Sequence, residues 1–214
     1  YEDIPFDIAC RPHFQRDRVS LRDLSIESRS SHAVGALMFS GPDWQAQGRV
    51  RIGCPAIEQF NSLLPVEIAG AVHALLVLSS SEGTGRGLNM RCSVQGTNLR
   101  CAGVQMKKAW VRGTAQDVLD NVNGKITATL SEIGGDAFNG RVDNVDSVFD
   151  LQWPAVGITA RASGNAGERF EVGLECDADV QEGVVRVQAM DGGYAGVRAR
   201  LAGPLLYNVR EKKV

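Results

Sequence analysis

Between residues 167 and 183 the chain reads GERFEVGLECDADVQEG, an alternation that hardly breaks. Phe170, Val172, Leu174, Cys176, Ala178 and Val180 fall in one phase; Glu171, Gly173, Glu175, Asp177 and Asp179 fall in the other. Successive side chains of an extended chain point to opposite faces, so this predicts one long strand with an apolar face and an acidic face. An apolar face of that length has to be covered. A second sheet, closure into a barrel, or a ligand could each do it, and the rest of the chain decides among them.

The same phase returns again and again. PFDIAC alternates Phe6, Ile8 and Cys10; GRVRIGC alternates Val50, Ile52 and Cys54; GLNMRCSV alternates Leu88, Met90, Cys92 and Val94. GKITATL gives Ile126, Ala128 and Leu130; VFDLQW gives Phe149, Leu151 and Trp153; GITARA, VVRVQA and GVRARL repeat the pattern. Many of these runs start just after a glycine, and short Gly/Asn/Asp/Ser clusters separate them, which predicts consecutive hairpins of an antiparallel meander. Two stretches break the pattern. CPAIEQFNSLLP places Ile57, Phe60 and Leu64 at helical spacing between two prolines and predicts a short amphipathic helix over 55–64. TAQDVLDNVNG, at 114–124, allows one helical turn stopped by Gly124, or a loop. No linker or charge block divides the chain, so residues 1–205 read as one continuous β unit, followed by a polar tail over 206–214. A chain that opens at Tyr1 is expected to be an excerpt of a longer protein.

Composition narrows what covers the apolar phase. Aromatics are only 6% of residues while glycine contributes 24, so a sandwich core would be poorly filled. A sheet whose apolar face stays open to a ligand fits better. The net charge of −2 gives no overall basic bias and argues against nucleic acid as a partner. The longest apolar run, Ala74–Leu78, has strand length, far short of the ~18 residues of a spanning helix.

Catalytic chemistry finds little support. His13, His32 and His73 are far apart in sequence, and His73 in AVHALLVL takes the outward phase of a strand. No zinc-protease motif, nucleophile elbow or paired-cysteine metal motif is present. GTGRGL (83–88) lacks the Lys-Ser/Thr of a phosphate loop and reads as a turn; DNVNGK and DNVD lack calcium-loop spacing. The five cysteines are an odd set, and Cys10, Cys54, Cys92 and Cys176 sit in the apolar phase as small hydrophobes. In CSVQGTNLRC, a two-residue turn at Gly96-Thr97 would set Cys92 opposite Cys101 at a non-hydrogen-bonded position. That geometry suits a disulfide, and free thiols are the alternative.

The succession of pieces resembles a known family. DRVSLRDLSIESRSSHAVGALMFSG carries L-x-D-L-x-I and then a glycine-led strand. WQAQGRVRIGCPAIEQFNSLLPVEIAGAVHALLVL runs from a glycine-led strand into a short helix ending in LLP and then a strand of the form xxGxVxAxLxL. GLNMRCSVQGTNLRCAGVQMKKAWVRG continues the pattern. This order, over roughly 16–205, is similar to the repeat of the TamB family (translocation and assembly module subunit) within the AsmA-like group. The resemblance implies an all-β, elongated, strongly curved antiparallel sheet folded lengthwise into a β-taco with an apolar groove. It implies a non-catalytic scaffold or conduit in the bacterial periplasm, anchored to the inner membrane by a segment outside this sequence. No cofactor or metal is implied. The implied partners are phospholipid acyl chains and an outer-membrane assembly protein of the TamA/BamA type. The shared alternation makes Leu88, Met90, Val94, Ala128, Leu130, Leu151, Phe170, Val172 and Leu174 the groove candidates. Burying an acyl chain gains ~0.8 kcal/mol per methylene without specific polar contacts. The alternatives are a β-sandwich binding or adhesion module of a secreted protein, a lipocalin-like barrel and, more distantly, a hydrolase.

Overall fold

The structure, a computed structural model, describes residues 4–41, 45–64, 66–80, 87–118, 122–135 and 140–208. Its strands are β1 (Asp7–Gln15), β2 (Arg18–Ser28), β3 (Ser31–Ser40), β4 (Gln45–Cys54), β5 (Ile68–Ser80), β6 (Leu88–Cys101) and β7 (Val104–Gln116). They continue with β8 (Asn123–Gly135), β9 (Arg141–Gln152), β10 (Ala155–Ala166), β11 (Glu168–Asp179), β12 (Val184–Tyr194), β13 (Val197–Arg200) and β14 (Leu205–Asn208). All fourteen belong to one antiparallel sheet that follows chain order from β1 to β13 and does not close. β13 and β14 share the last edge: β13 pairs with one end of β12, β14 with the other, and Leu201 donates to the Met190 carbonyl between them.

The expected meander is therefore present, and the sheet is a single layer. A chain of 23.0 kDa folded as a compact globule would expose about 9,600 Å². This one exposes 14477 Å², and no large side chain among the described residues is fully buried. Its most buried hydrophobic residues, Leu24, Cys54, Ala109, Ile133 and Cys176, do not form an inter-sheet core; all five lie on different strands along the sheet. Neither the sandwich nor the closed barrel describes this architecture.

The sheet curves toward its apolar face, and glycines show it. In a flat ladder, directly opposed residues keep their backbones about 4.5–5.5 Å apart. A Cβ built on Gly124 in β8 would collide with the Thr114 carbonyl of β7 and stand 2.8 Å from the Ala115 Cα. A Cβ on Gly35 in β3 would meet the Arg49 carbonyl and lie 2.9 Å from the Val50 Cα of β4. Both glycines point to the apolar face, so the neighbouring strand leans over that face at each. Only a residue without a Cβ permits the approach.

Several sequence expectations need correction. β6 runs straight through Gly96-Thr97, and the chain reverses instead at Ala102-Gly103, where φ is 48° and 80°. Positive φ at both central residues is what a type I′ hairpin turn needs. The Gly-Thr-Asn cluster is a β-bulge: Asn98 takes φ 51°, and the register to β5 shifts between Ala69 and Ala71. The strand predicted over 167–183 ends at Asp179, and 180–183 form the turn into β12. The helix is a 3-10 helix, Ile57–Leu63, with Leu64 donating to the Asn61 carbonyl. In 114–124, Thr114–Gln116 finish β7 and Asn123 opens β8; residues 119–121 lie outside the described residues. Strand pairing extends through Asn208, three residues into the stretch read as tail, and 209–214 lie outside the described residues, as do 83–86 of GTGRGL.

Candidate functional site: an open apolar trough

Registry turns the alternation into a surface. Ile8 pairs with Ile26, Ile26 with Ala33, Ala33 with Ile52, Ile52 with Ala74 and Ala74 with Val94. From Val94 the row continues through Val111, Ala128, Ser147, Ala160 and Leu174 to Met190. Directly opposed residues share a face. The row thus crosses twelve strands, from β1 to β12, and Ser147 is its one polar member. A second row joins Leu78, Met90, Ala115, Gly124, Leu151 and Val156. A third joins Ala109, Leu130, Val145, Ala162 and Val172.

All nine groove candidates lie on this face. Leu88 and Met90 stand in β6 with Val94; Leu130 and Val172 share a row, as do Val94, Ala128 and Leu174; Met90 and Leu151 share another. Phe170 swings its ring over Gly164, which leaves 2.8 Å where a Cβ would need room. Each of the nine is half-buried, whereas the facing-out positions Glu171, Glu175, Thr127 and Thr129 are exposed. With no second layer, the asymmetry comes from the curvature and from neighbours along each row. The sequence reading missed the parts of the face where a positive-φ residue rephases its strand. Asp23, at φ 50°, turns both Leu21 and Leu24 inward, opposite Leu37 and Gly35. Glu132, at φ 54°, lies between Leu130 and Ile133, which share the apolar face though three residues apart.

One end of the trough is closed from the β2–β4 side. Ser28, Ser31 and Cys54, all buried, fall in the apolar phase of their strands. The 3-10 helix sits against them: Gln59 donates through Nε2 to Ser31 Oγ and contacts Cys54 Sγ at 3.8 Å. Phe60 stacks on Phe6 with centroids 6.4 Å apart. Glu58 ties the helix to β5 by accepting the Gly70 amide at 3.1 Å. Backbone amides of Glu58 itself and of Gly70 hold that carboxyl below its ordinary value, so it stays ionised at neutral pH.

The disulfide expectation is overturned. Cys92 and Cys101 stand on the same strand, nine residues apart, so about 30 Å of extended chain separates them. Cys92 faces Leu76 and Gly113; Cys101 faces Ile68 and Val104. All five cysteines carry free thiols. Burial, with the Asp177 charge beside it, pushes the Cys176 thiol up, so it remains protonated and unreactive. Non-reducing peptide mapping should recover Cys92 and Cys101 without a mutual link. Alkylation should mark exposed Cys10 well before Cys54 or Cys176. A 92–101 crosslinked peptide would contradict the register of β6.

Among the described residues, no three His, Cys, Asp or Glu side chains converge to hold a metal ion, and no helix is long and apolar enough to cross a membrane. A largely apolar face on one side of a curved sheet can hold an extended apolar chain. Comparison with known families, curated proteins and solved structures finds no match to this chain.

Proposed function

We propose that the chain is a non-catalytic lipid conduit of the TamB/AsmA-like kind, holding phospholipid acyl chains along its trough between the inner and outer membranes. One observation supports this above the others: an apolar row twelve strands long on a face that no second layer covers. Exposed apolar patches beyond a few hundred Å² mark interaction sites in soluble proteins. A face of this length suits an extended chain better than a compact ligand. A role in assembling outer-membrane proteins with a TamA/BamA-like partner belongs to the same reading, since an extended β segment also has an apolar face to shield. The location in the periplasm, with an anchor in the inner membrane, comes with that family reading.

The test is mass spectrometry of lipid extracted from the purified chain. Phospholipid should co-purify and survive washing in detergent-free buffer. Protein that is folded and free of lipid after expression in a lipid-rich envelope would remove the proposal.

A further inference from the structure

The polar face is divided by charge. Strands β4, β5, β6 and β7 contain no Asp or Glu at all. Arg49, Arg51, Arg91 and Arg112 all point outward there and are exposed. Arg51, Leu75, Ser93 and Arg112 form one cross-strand row, and Arg49, Val77 and Arg91 form the next. Among the described residues none of these four arginines pairs with a carboxylate; Arg112 instead lies over Trp110, 5.1 Å from the ring centroid. Trp110 is 39% exposed, in a shallow recess of about 370 Å³ whose walls include His32 and His73. The far half of the same face has a net charge of the opposite sign: Asp146 and Asp150 on β9, with Glu171, Glu175 and Asp177 on β11, outnumber Arg141, Arg161 and Arg169. A chain with net charge −2 has thus gathered an uncompensated basic field on four adjacent strands.

We propose that the polar face of β4–β7 docks on an anionic phospholipid surface. At the usual strand spacing, Arg51 and Arg112 stand three strands apart, about 14 Å, and Arg49 and Arg91 about 10 Å. That spread suits an array of phosphates rather than one enclosed anion. Guanidinium forks bind phosphate oxygens in pairs, and an exposed Trp is the side chain that settles at headgroup level. The acidic half is repelled by the same surface, so docking also sets direction: β4–β7 toward the membrane, β9–β11 away from it. The inference uses the polar face alone and stands apart from the trough reading.

The test floats the 214-residue chain with vesicles of phosphatidylcholine alone, or of equal parts phosphatidylcholine and phosphatidylglycerol, at low and high salt. Binding to the anionic vesicles should be at least about tenfold tighter, should fall with salt, and should shift Trp emission to the blue. Arg49→Gln, Arg51→Gln, Arg91→Gln and Arg112→Gln together should abolish the preference. The four matching lysine substitutions should keep most of it. Arg161→Gln, Arg186→Gln, Arg198→Gln and Arg200→Gln change net charge equally on the far strands and should leave it within about twofold. Circular dichroism of each variant checks that the sheet is intact. Equal binding to both vesicle types, equal loss in both glutamine sets, or capture of soluble polyglutamate without vesicle binding would overturn the proposal. Lipid retained in the trough should be the same in all the variants, which separates this outcome from failure of the conduit.

Discussion

Leu174→Arg is expected to leave the melting temperature within a few degrees of the unmodified chain while cutting co-purified phospholipid about tenfold or more. Leu174 is half-buried near the β12 end of the longest apolar row, between Ala160 on β10 and Met190 on β12. Ala160 is small and Met190 is 48% exposed, so a longer side chain has room to lie along the face. An arginine there can bury its stem and lift its guanidinium into water at the open mouth. It therefore escapes the several kcal/mol that an unpaired charge costs in a closed core. An acyl chain following the row cannot escape it, because the charge would sit in its path with no counter-ion. In a sandwich the same substitution unfolds the domain. Differential scanning calorimetry with lipid analysis on the same sample separates the cases. Unfolding would point to a packed core, and a folded variant with its full complement of lipid would remove the conduit.

The second large effect is on the fold. Gly124→Ala should lower stability by about 2–3 kcal/mol, a fall in Tm of about 5–10 °C for a chain of this length. The added methyl meets the Thr114 carbonyl and the Ala115 Cα, both backbone, so no side-chain rotamer can relieve it. β7 and β8 must flatten locally, and the trough widens there. Gly134→Ala on the same strand is the control: a Cβ there meets nothing within 4 Å. Removing backbone freedom from the unfolded chain should make that variant neutral, or more stable by about 0.5 kcal/mol. Thermal melts of the pair read the curvature directly. Equal melts would mean that β7 does not lean over β8.

These glycines show what the sequence could and could not disclose. The alternation that put Met90, Val94 and Leu174 in one phase is a property of neighbouring residues, and the registry preserves it across the sheet. Antiparallel meandering was equally legible, because short turns leave each strand only its predecessor to pair with. Turn position was not. Gly96 looked like the reversal, yet Gly103 makes it, and nothing local distinguishes a glycine in a turn from one that a neighbouring side chain overhangs. At Gly96 that overhang is Leu99, whose Cγ lies 3.0 Å from where a Cβ would stand. The proposed disulfide failed with that one misplaced turn. The bulges at Asp23 and Asn98, and the break in alternation at Glu132, were hidden for a related reason. Each is a non-glycine residue at positive φ, a conformation that Asp and Asn adopt more readily than most residues but that an alternating pattern does not mark. Curvature was the least visible, since it depends on which glycines face which backbones once the register is set. The charge division of the polar face lay in plain view in the sequence. The whole-chain charge of −2 averaged it away, and only strand boundaries reveal that four consecutive strands lack carboxylates.

The central claim is that lipid lies against one face of this sheet and not the other, and site-specific photocrosslinking reads that most directly. Photoreactive residues at Met90 and Leu174 sit two rows of the apolar face apart in position and five strands apart along the sheet. One at Glu175 occupies the next residue of β11 on the exposed polar face. In protein irradiated within the cell envelope, phospholipid adducts are expected at Met90 and Leu174 and none above background at Glu175. Equal labelling at all three positions, or labelling confined to Glu175, would contradict it.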